Sequence, residues 1–476
     1  MADEFVAYLL DGQTSETDRA FSVAPDKDKA IQSYNDAKSS ANKGIAEAVE
    51  VQPQSEAPTD GFVALLDRAL HLGLSQSHLI TISNAARPIF RGSAARFEVL
   101  EPVMKQAVLV EKHDSFAIYG LTTPIYADLE RRMRRLNSLD EALRDLPGTA
   151  LMGMVATFDA FIADVVREML GRYPDRYTLS DKEVCIKDVL QHGSFESFIA
   201  AMIDDDVYNF TRGSHEEQIR FIEKNFSIPV SAHWKSYPDY IEVFERRNLV
   251  AHGERTFNSR YVRICTAAGH KGAESILGQP VRMTTNYLRQ SADLLLEFAV
   301  VLILTLWRKH DKSTEAVAFG KLNDVVFELI QSGRFRSAAS IASAALDIKK
   351  SACTQLDRSM LTVNLASAQK HLKQNEAALK TLESVDWSAA ADNFRVCVAS
   401  LREDYDEVKA LMRRVSAANL IDADSFRTWP VFSFARDNPE FQSVFQEVFG
   451  EPLVRVAESS PEALHDVTLR GPTMIH

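Results

Sequence analysis

Apolar residues recur every three or four positions along most of this chain, the period of helices buried on one face. Phe62, Leu65, Leu66, Leu70 and Leu72 predict a first helix, while residues 75–84 fit a helix or a strand equally. Residues 97–110 read as a second helix with Pro102 in its first turns, and 117–124 as a strand entering a loop. Residues 125–137 are helical again, after which Pro147-Gly148 punctuates the pattern. Val155, Phe158, Phe161, Ile162, Val165, Val166 and Leu170 mark a helix over 153–172, stopped by Tyr173-Pro174. Shorter helices follow at 181–190, 194–206 and 215–225, with cap signals at Ser180-Asp181 and Ser214. A segment over 237–252 has Pro238 in its first turn, and Asn258-Ser259 can cap a short helix through Ile264. After a Gly-rich loop at 269–278, a long helix runs from about 281 to 310. Its apolar run, 294–307, contains Glu297 and is too short to span a bilayer, so it reads as buried core rather than a dimer seam. No alternation of strand and helix patterns appears, which predicts a mainly α fold built as a helical bundle.

From about Thr314 the texture changes. Leu322, Val325, Val326, Leu329, Gly333, Phe335, Ala338, Ala342, Ala345 and Leu346 outline a helix–turn–helix with small residues at the close contacts. The arrangement returns at Asn364, Leu365, Ala366, Gln374, Ala378, Leu379 and Leu382, and more weakly at Tyr405, Val408 and Leu411. The spacings, 40 from Ala338 to Ala378 and 30 from Ala378 to Val408, are irregular, and the pattern resembles tetratricopeptide repeats, α-α units that need neighbours to bury their faces. Trp429 to Phe432 and the stretch 441–449 would cap such an array.

Composition narrows the function classes. The 476 residues carry a net charge of −12, which excludes bulk polyanion binding and leaves only a local basic patch for nucleic acid. Cys185, Cys265, Cys353 and Cys397 are isolated, which fits a reducing compartment and argues against a thiolate metal site. The N-terminus has neither a basic n-region nor a signal-like apolar core, so the expected location is cytoplasmic, with no membrane partner. Residues 22–60 hold too few large apolar side chains to bury a core. Glycine patterns for nucleotides, a serine nucleophile elbow and paired zinc-ligand spacings are all missing, and His113, His192, His233 and His270 stand alone.

The candidate chemistry lies in Glu245-Arg246-Arg247-Asn248-Leu249-Val250-Ala251-His252. At about 100° per residue, Glu245 and His252 fall within roughly 20° of one helix face and Asn248 within roughly 40°. Arg247 is about 140° away but has the reach to turn back. Such a cluster is also what a plain helix end looks like, since the macrodipole favours cations there. A second basic feature, Arg131, Arg132, Arg134 and Arg135, reads as either a solvated face or a phosphate-contacting surface.

The motif, followed by Tyr261 in Phe257-Asn258-Ser259-Arg260-Tyr261-Val262, resembles the HEPN superfamily, and most closely its bacterial defence-associated members. Phe158-Asp159-Ala160-Phe161 with Tyr173-Pro174 is similar to that family's first helix, and residues 218–226 to the segment before its motif; the likeness spans roughly 150–310. One departure is Arg255, where relatives often have glycine. The resemblance implies a metal-independent endoribonuclease, without cofactor, acting in antiphage defence as a homodimer whose paired motifs form one cleft. Arg247 and His252 would be catalytic, with Asn248 against a 2′-hydroxyl or the imidazole. Glu245 would hold the histidine tautomer, and Arg246 would be a phosphate contact or a structural ion pair. Arg255, Arg260 and Arg263 would extend an RNA-binding patch, and the repeats would take a protein regulator or trigger. The alternative is a non-catalytic HEPN module for dimerisation and for protein or RNA binding. The expected division is a flexible arm at 1–58, a mostly helical region at 59–147, the bundle at 148–312, repeats at 314–451 and a tail at 452–476.

Overall fold

The chain is mainly α-helical, and the computed structural model describes residues 5–8, 21–24, 61–91, 99–103, 105–112, 117–174, 184, 186–347 and 353–454. Two units separate at Thr59/Asp60. The first contains an antiparallel strand pair, β1 (Phe5–Tyr8) and β2 (Phe21–Ala24), with Phe5 opposite Ala24 and Tyr8 opposite Phe21. Within the stretch expected as a flexible arm, these eight positions form strands, whose aromatic and β-branched residues suit a pleated ladder. The rest of that arm, and the tail from 455, lie outside the described residues.

In the second unit, α1 (Gly61–Arg91) takes in both the expected first helix and the ambiguous 75–84 stretch. Residues 99–103 are helical, but the chain then enters β3 (Val108–Lys112), which pairs antiparallel with β4 (Ala117–Gly120). The helix expected over 97–110 thus ends early, because Val108-Leu109-Val110 finds a strand partner.

A larger difference comes next. One helix, α2 (Thr123–Arg172), runs straight through Pro147, so the boundary expected at 147/148 falls inside it. Proline removes one backbone hydrogen bond, but Leu143, Pro147, Gly148, Leu151, Met154 and Val155 are all buried, and that packing carries the helix across. Gly148 sits at a close crossing: a Cβ there would stand 2.9 Å from Val250 Cγ1. After it come α3 (Ile186–Gln191), α4 (Phe195–Arg212), α5 (His215–Phe226), the short α6 (Val230–His233), α7 (Tyr237–Ala251), α8 (Ser259–Ala267) and α9 (Thr285–His310).

α9 lies against α1, where Phe62 stacks on Trp307 with ring centres 5.4 Å apart. Leu295, Phe298, Val300, Ile303, Leu306 and Trp307 are buried, so the apolar run is core. By length and composition α2 and α9 could each cross a membrane, yet 56% and 67% of their apolar windows are buried inside the protein. Phe158, Tyr240, Phe244 and Phe298 pack with ring centres 4.5–6.1 Å apart, fixing α2, α7 and α9 to one another.

Beyond Thr314 three helix pairs stack in sequence: α10 (Glu315–Gln331) with α11 (Phe335–Leu346), α12 (Gln355–His371) with α13 (Asn375–Glu383), and α14 (Asp392–Arg402) with α15 (Tyr405–Ala417). Each first helix ends on a left-handed residue, Gly333, Lys373 and Glu403. There the next amide reaches back to Leu329, Gln369 and Ala399 carbonyls at 2.8–3.0 Å, a recurring Schellman turn. The intervals between these turns repeat those of Ala338, Ala378 and Val408. α16 (Ala423–Thr428) and α17 (Pro439–Phe449) close the stack, with Phe426, Phe432, Phe441 and Phe445 buried.

The cores do not follow the expected domain limits. One core runs from Phe62 through Trp307 to Phe319, Ala338, Leu361, Leu365 and Ala368. A second takes Val363 and Ala366 together with the helices after them. Helix α12 is therefore a party wall, with one face in each core.

Candidate functional site

Helix α7 begins after Ser236 with Pro238 in its first turn and ends at His252, the C-cap. Gly253 is left-handed (φ 69°), and the Glu254 amide reaches back to the Leu249 carbonyl at 2.9 Å. The exit turn is thus made one residue after the histidine. Arg255 instead belongs to the following strand-like stretch, its carbonyl accepting from the Val281 amide at 2.8 Å. Asn258 then caps α8 through the Tyr261 amide at 2.9 Å.

One side of α7 is occupied by a buried ion pair. Glu242 is 4% exposed and accepts from Tyr261 Oη at 2.5 Å, from Tyr287 Oη at 2.9 Å and from Arg246 Nε at 2.7 Å. The Arg246 guanidinium also lies 3.9 Å from the Tyr287 ring centre and 5.1 Å from that of Phe257. Burial opposes its charge, but the tyrosine oxygens and Glu242 outweigh that and raise its pKa. Of the two roles expected for Arg246, a phosphate contact or a structural ion pair, the arrangement adopted is the ion pair with Glu242. This side opens on a cleft of about 790 Å³ that also includes His270, bonded to Asp239 at 2.8 Å, and Arg336 of α11; neither Arg247 nor His252 lines it.

A quarter-turn further round, Arg247 (side chain 25% exposed) meets Asp159 of α2, its Nη2 lying 3.4 Å from Oδ2. Its Nε is buried with no hydrogen-bond partner among the described residues. Asp159 Oδ1 in turn lies 2.9 Å from Nε2 of His215, the first residue of α5, whose ring is stacked 3.4 Å over Phe244. A chain His215–Asp159–Arg247 thus joins three helices. Its first two members escaped the sequence reading. Asp159 is a carboxylate among Val155, Phe158, Ile162 and Val166 on a mostly buried stripe, and that was the available signal.

Glu245 and Asn248 hold each other, Asn248 Nδ2 donating to Glu245 Oε1 at 3.0 Å. The expected role of Glu245 in fixing the His252 tautomer is not the arrangement adopted: its carboxylate accepts from Asn248 instead. His252 itself is exposed, and its side chain has no hydrogen bond or ion pair among the described residues. Arg255, Arg260 and Arg263 are also exposed and carry no ion pair among the described residues, as does Arg282, next to Val281 in the paired loop. The other arginine cluster differs. Arg131 and Arg132 share Asp128 at 3.2 and 2.8 Å, Arg134 lies 3.6 Å from Glu130, and only Arg135 is free of ion pairs among the described residues. Val250, near the end of α7, packs against Gly148 of α2, sixteen residues or roughly 24 Å along that helix from Arg132 at 1.5 Å rise per residue.

Among the described residues, no group of three or more His, Cys, Asp or Glu side chains is placed to hold a metal ion. Burial pushes the Cys265 and Cys397 thiols up to about 12, which leaves both protonated and unreactive at neutral pH.

Two tests probe this arrangement. Ser214 accepts from the Glu217 amide while Glu217 reaches back to the Ser214 amide at 2.7 Å, a capping box that places His215. Ser214→Ala should cost about 1 kcal/mol in urea unfolding; a loss under about 0.3 kcal/mol would mean the cap does not matter. Burial pushes the His215 pKa below its ordinary 6.5, against the pull of Asp159. The unfolded chain then takes up the proton first on acidification, so stability is lost as pH falls through 6.5 towards the folded value. The melting temperature should fall from about pH 7.5 to about pH 5.5, and fall less in His215→Phe, which keeps the stack on Phe244. Equal falls in both proteins would show that His215 is not the group responsible.

No protein-family model, curated protein or solved structure matches this chain. The site is described by its geometry alone: an exposed imidazole at a helix C-cap of a helical bundle, an arginine tethered to Asp159 five residues before it, and arginines after it that carry no ion pair among the described residues.

Proposed function

We propose that this chain is a metal-independent endoribonuclease of the HEPN type, acting in the cytoplasm in antiphage defence. The observation that carries the reading is His252 at the C-cap of α7, exposed and without a side-chain partner among the described residues, five positions after Arg247, whose link to Asp159 is long at 3.4 Å. A phosphate offers Arg247 two oxygens in place of one distant carboxylate oxygen.

The chemistry follows from those groups. The ribose 2′-oxygen attacks the adjacent phosphorus and gives up its proton; the phosphorus–O5′ bond breaks and the 5′-oxygen is protonated as it leaves. The products are a 2′,3′-cyclic phosphate and a 5′-hydroxyl, with no net oxidation and no metal step. His252 can take one of these protons or deliver the other. Arg247 stabilises the charge that builds on the non-bridging oxygens. One chain supplies one imidazole, so a two-fold pair of α7 ends would provide both base and acid and double the positive potential. Arg255, Arg260, Arg263 and Arg282 give that pair an RNA-binding rim. The three stacked helix pairs, similar to tetratricopeptide repeats, would take a regulator or trigger.

A second reading, a non-catalytic HEPN binding module, is favoured by one observation: the same Asp159 that positions Arg247 also neutralises it. Incubating the full chain with structured RNA in chelator and mapping 5′-hydroxyl ends separates the two. The nuclease reading expects discrete ends from the wild type that disappear in His252→Ala. Identical end patterns in both proteins would overturn it, and retention of RNA without new ends would establish the binding module.

A further inference from the structure

The stacked helices enclose a cavity of about 300 Å³ between α10, α12, α14 and the Trp429-Pro430-Val431 turn. That is the lower end of the range for small-molecule sites, roughly 300–1,000 Å³. Its walls are apolar and aromatic: Phe327, Met360, Phe394, Trp429 and Val431 among others. Three asparagines face it, Asn323, Asn364 and Asn393, one from each first helix of the three pairs.

Two of its lining groups have unspent hydrogen-bonding capacity. Asn323 is 5% exposed, and its Nδ2 donates to the carbonyls of Phe319 and Asp357, both at 3.3 Å. Those two acceptors fix which end of the amide is nitrogen. Its Oδ1 is left buried without a donor among the described residues. Ser367, 2% exposed, likewise has an Oγ with no partner among the described residues. Buried polar atoms are normally paired, and an orphan acceptor and an orphan hydroxyl on two residues that line one cavity ask for a molecule that supplies a donor and an acceptor. No Lys, Arg or His is among the lining residues, and the one charged group is Asp324 at the rim, 3.5 Å from Lys321. Phosphates and carboxylates are therefore disfavoured, because a buried anion here would have no counter-charge.

We propose that this cavity is a binding site for a small neutral molecule that has an aromatic or apolar body and an amide-like donor–acceptor pair. Its body would lie against Phe327, Phe394 and Trp429, and its polar edge would engage Asn323 Oδ1 and Ser367 Oγ. The site does not depend on the nuclease reading: it lies in the helix stack, and its charge is wrong for RNA.

The test uses the full chain and a matched pair of compounds differing in one charged group, N-acetyl-L-phenylalaninamide and N-acetyl-L-phenylalanine. Tryptophan fluorescence should titrate with the amide to a dissociation constant below about 1 mM, and at least about tenfold more weakly with the acid. The signal should vanish in Trp429→Phe, which leaves the other three tryptophans in place. Ser367→Leu, which fills the cavity, should weaken the amide by at least about tenfold. Should that variant fail to fold, the wild type alone decides: the amide raises its melting temperature and the acid does not. Equal binding of amide and acid, or amide binding unaffected by Ser367→Leu, overturns the proposal. So would a capped glycine-flanked pentapeptide bearing the same phenylalanine that bound more than about a hundredfold tighter than the amide, since the occupant would then be a polypeptide.

Discussion

His252→Ala should lower the rate of RNA cleavage by about 10²- to 10⁴-fold, the range for losing a general acid or base. The same change should alter stability by less than about 0.5 kcal/mol, because the imidazole is exposed and unpaired among the described residues. That contrast makes the experiment decisive, since a folded but inactive protein points to chemistry rather than packing. Arg247 needs a different choice of variant. Alanine there would strand Asp159 beside His215 and weaken the fold as well. Arg247→Lys keeps the cation for Asp159 but loses the planar fork, so it should fold and still cut far more slowly than the wild type. Full activity in Arg247→Lys together with inactive His252→Ala would leave the imidazole in place and remove bidentate phosphate recognition from the mechanism.

Glu242→Ala should destabilise the protein by about 3–5 kcal/mol, the cost of breaking a buried ion pair by removing one partner. The carboxylate accepts from Arg246, Tyr261 and Tyr287 at once, so its loss leaves a buried guanidinium and two buried hydroxyls without their acceptor. Urea unfolding monitored by circular dichroism reads the change as a lower midpoint at unaltered slope. Glu242→Gln retains an acceptor oxygen and should lose less. A loss below about 1 kcal/mol in Glu242→Ala would mean that water or another group reaches Arg246. Because this network holds α7 to α8 and α9, Glu242→Gln that remains folded should still cut RNA, separating the scaffold from the site.

These two outcomes turn on two neighbouring arginines, and the contrast shows what the sequence could convey. Periodicity placed α7, α8 and α9, and the capping signals at Ser214 and Asn258 were read from local chemistry that acts over a few residues. Arg246 meets Glu242 through a local i,i+4 contact, but the burial of that pair depends on Tyr261 and Tyr287, which no local pattern places. The same limit hid Asp159 and His215, which meet only when α2, α5 and α7 pack. Pro147 misled for the opposite reason. Its local signal is strong, but burial on both sides of it is stronger. The arginines near residue 132 formed an obvious cluster in one dimension, yet Asp128 and Glu130 neutralise most of it one turn away. The strand expected over 117–124 is present as β4 (Ala117–Gly120), whereas β1, β2 and β3 were not legible because each needs a partner segment to exist at all.

The party-wall helix α12 has a consequence for how this protein can be divided, in the laboratory or by recombination. Leu361, Leu365 and Ala368 complete the core that begins at Phe62, whereas Val363 and Ala366 belong to the core that ends at Phe445. A cut before α12 strips the front piece of its closing residues, and a cut after it strips the rear piece. Swapping the helix stack for that of another protein would therefore have to replace α12 one face at a time.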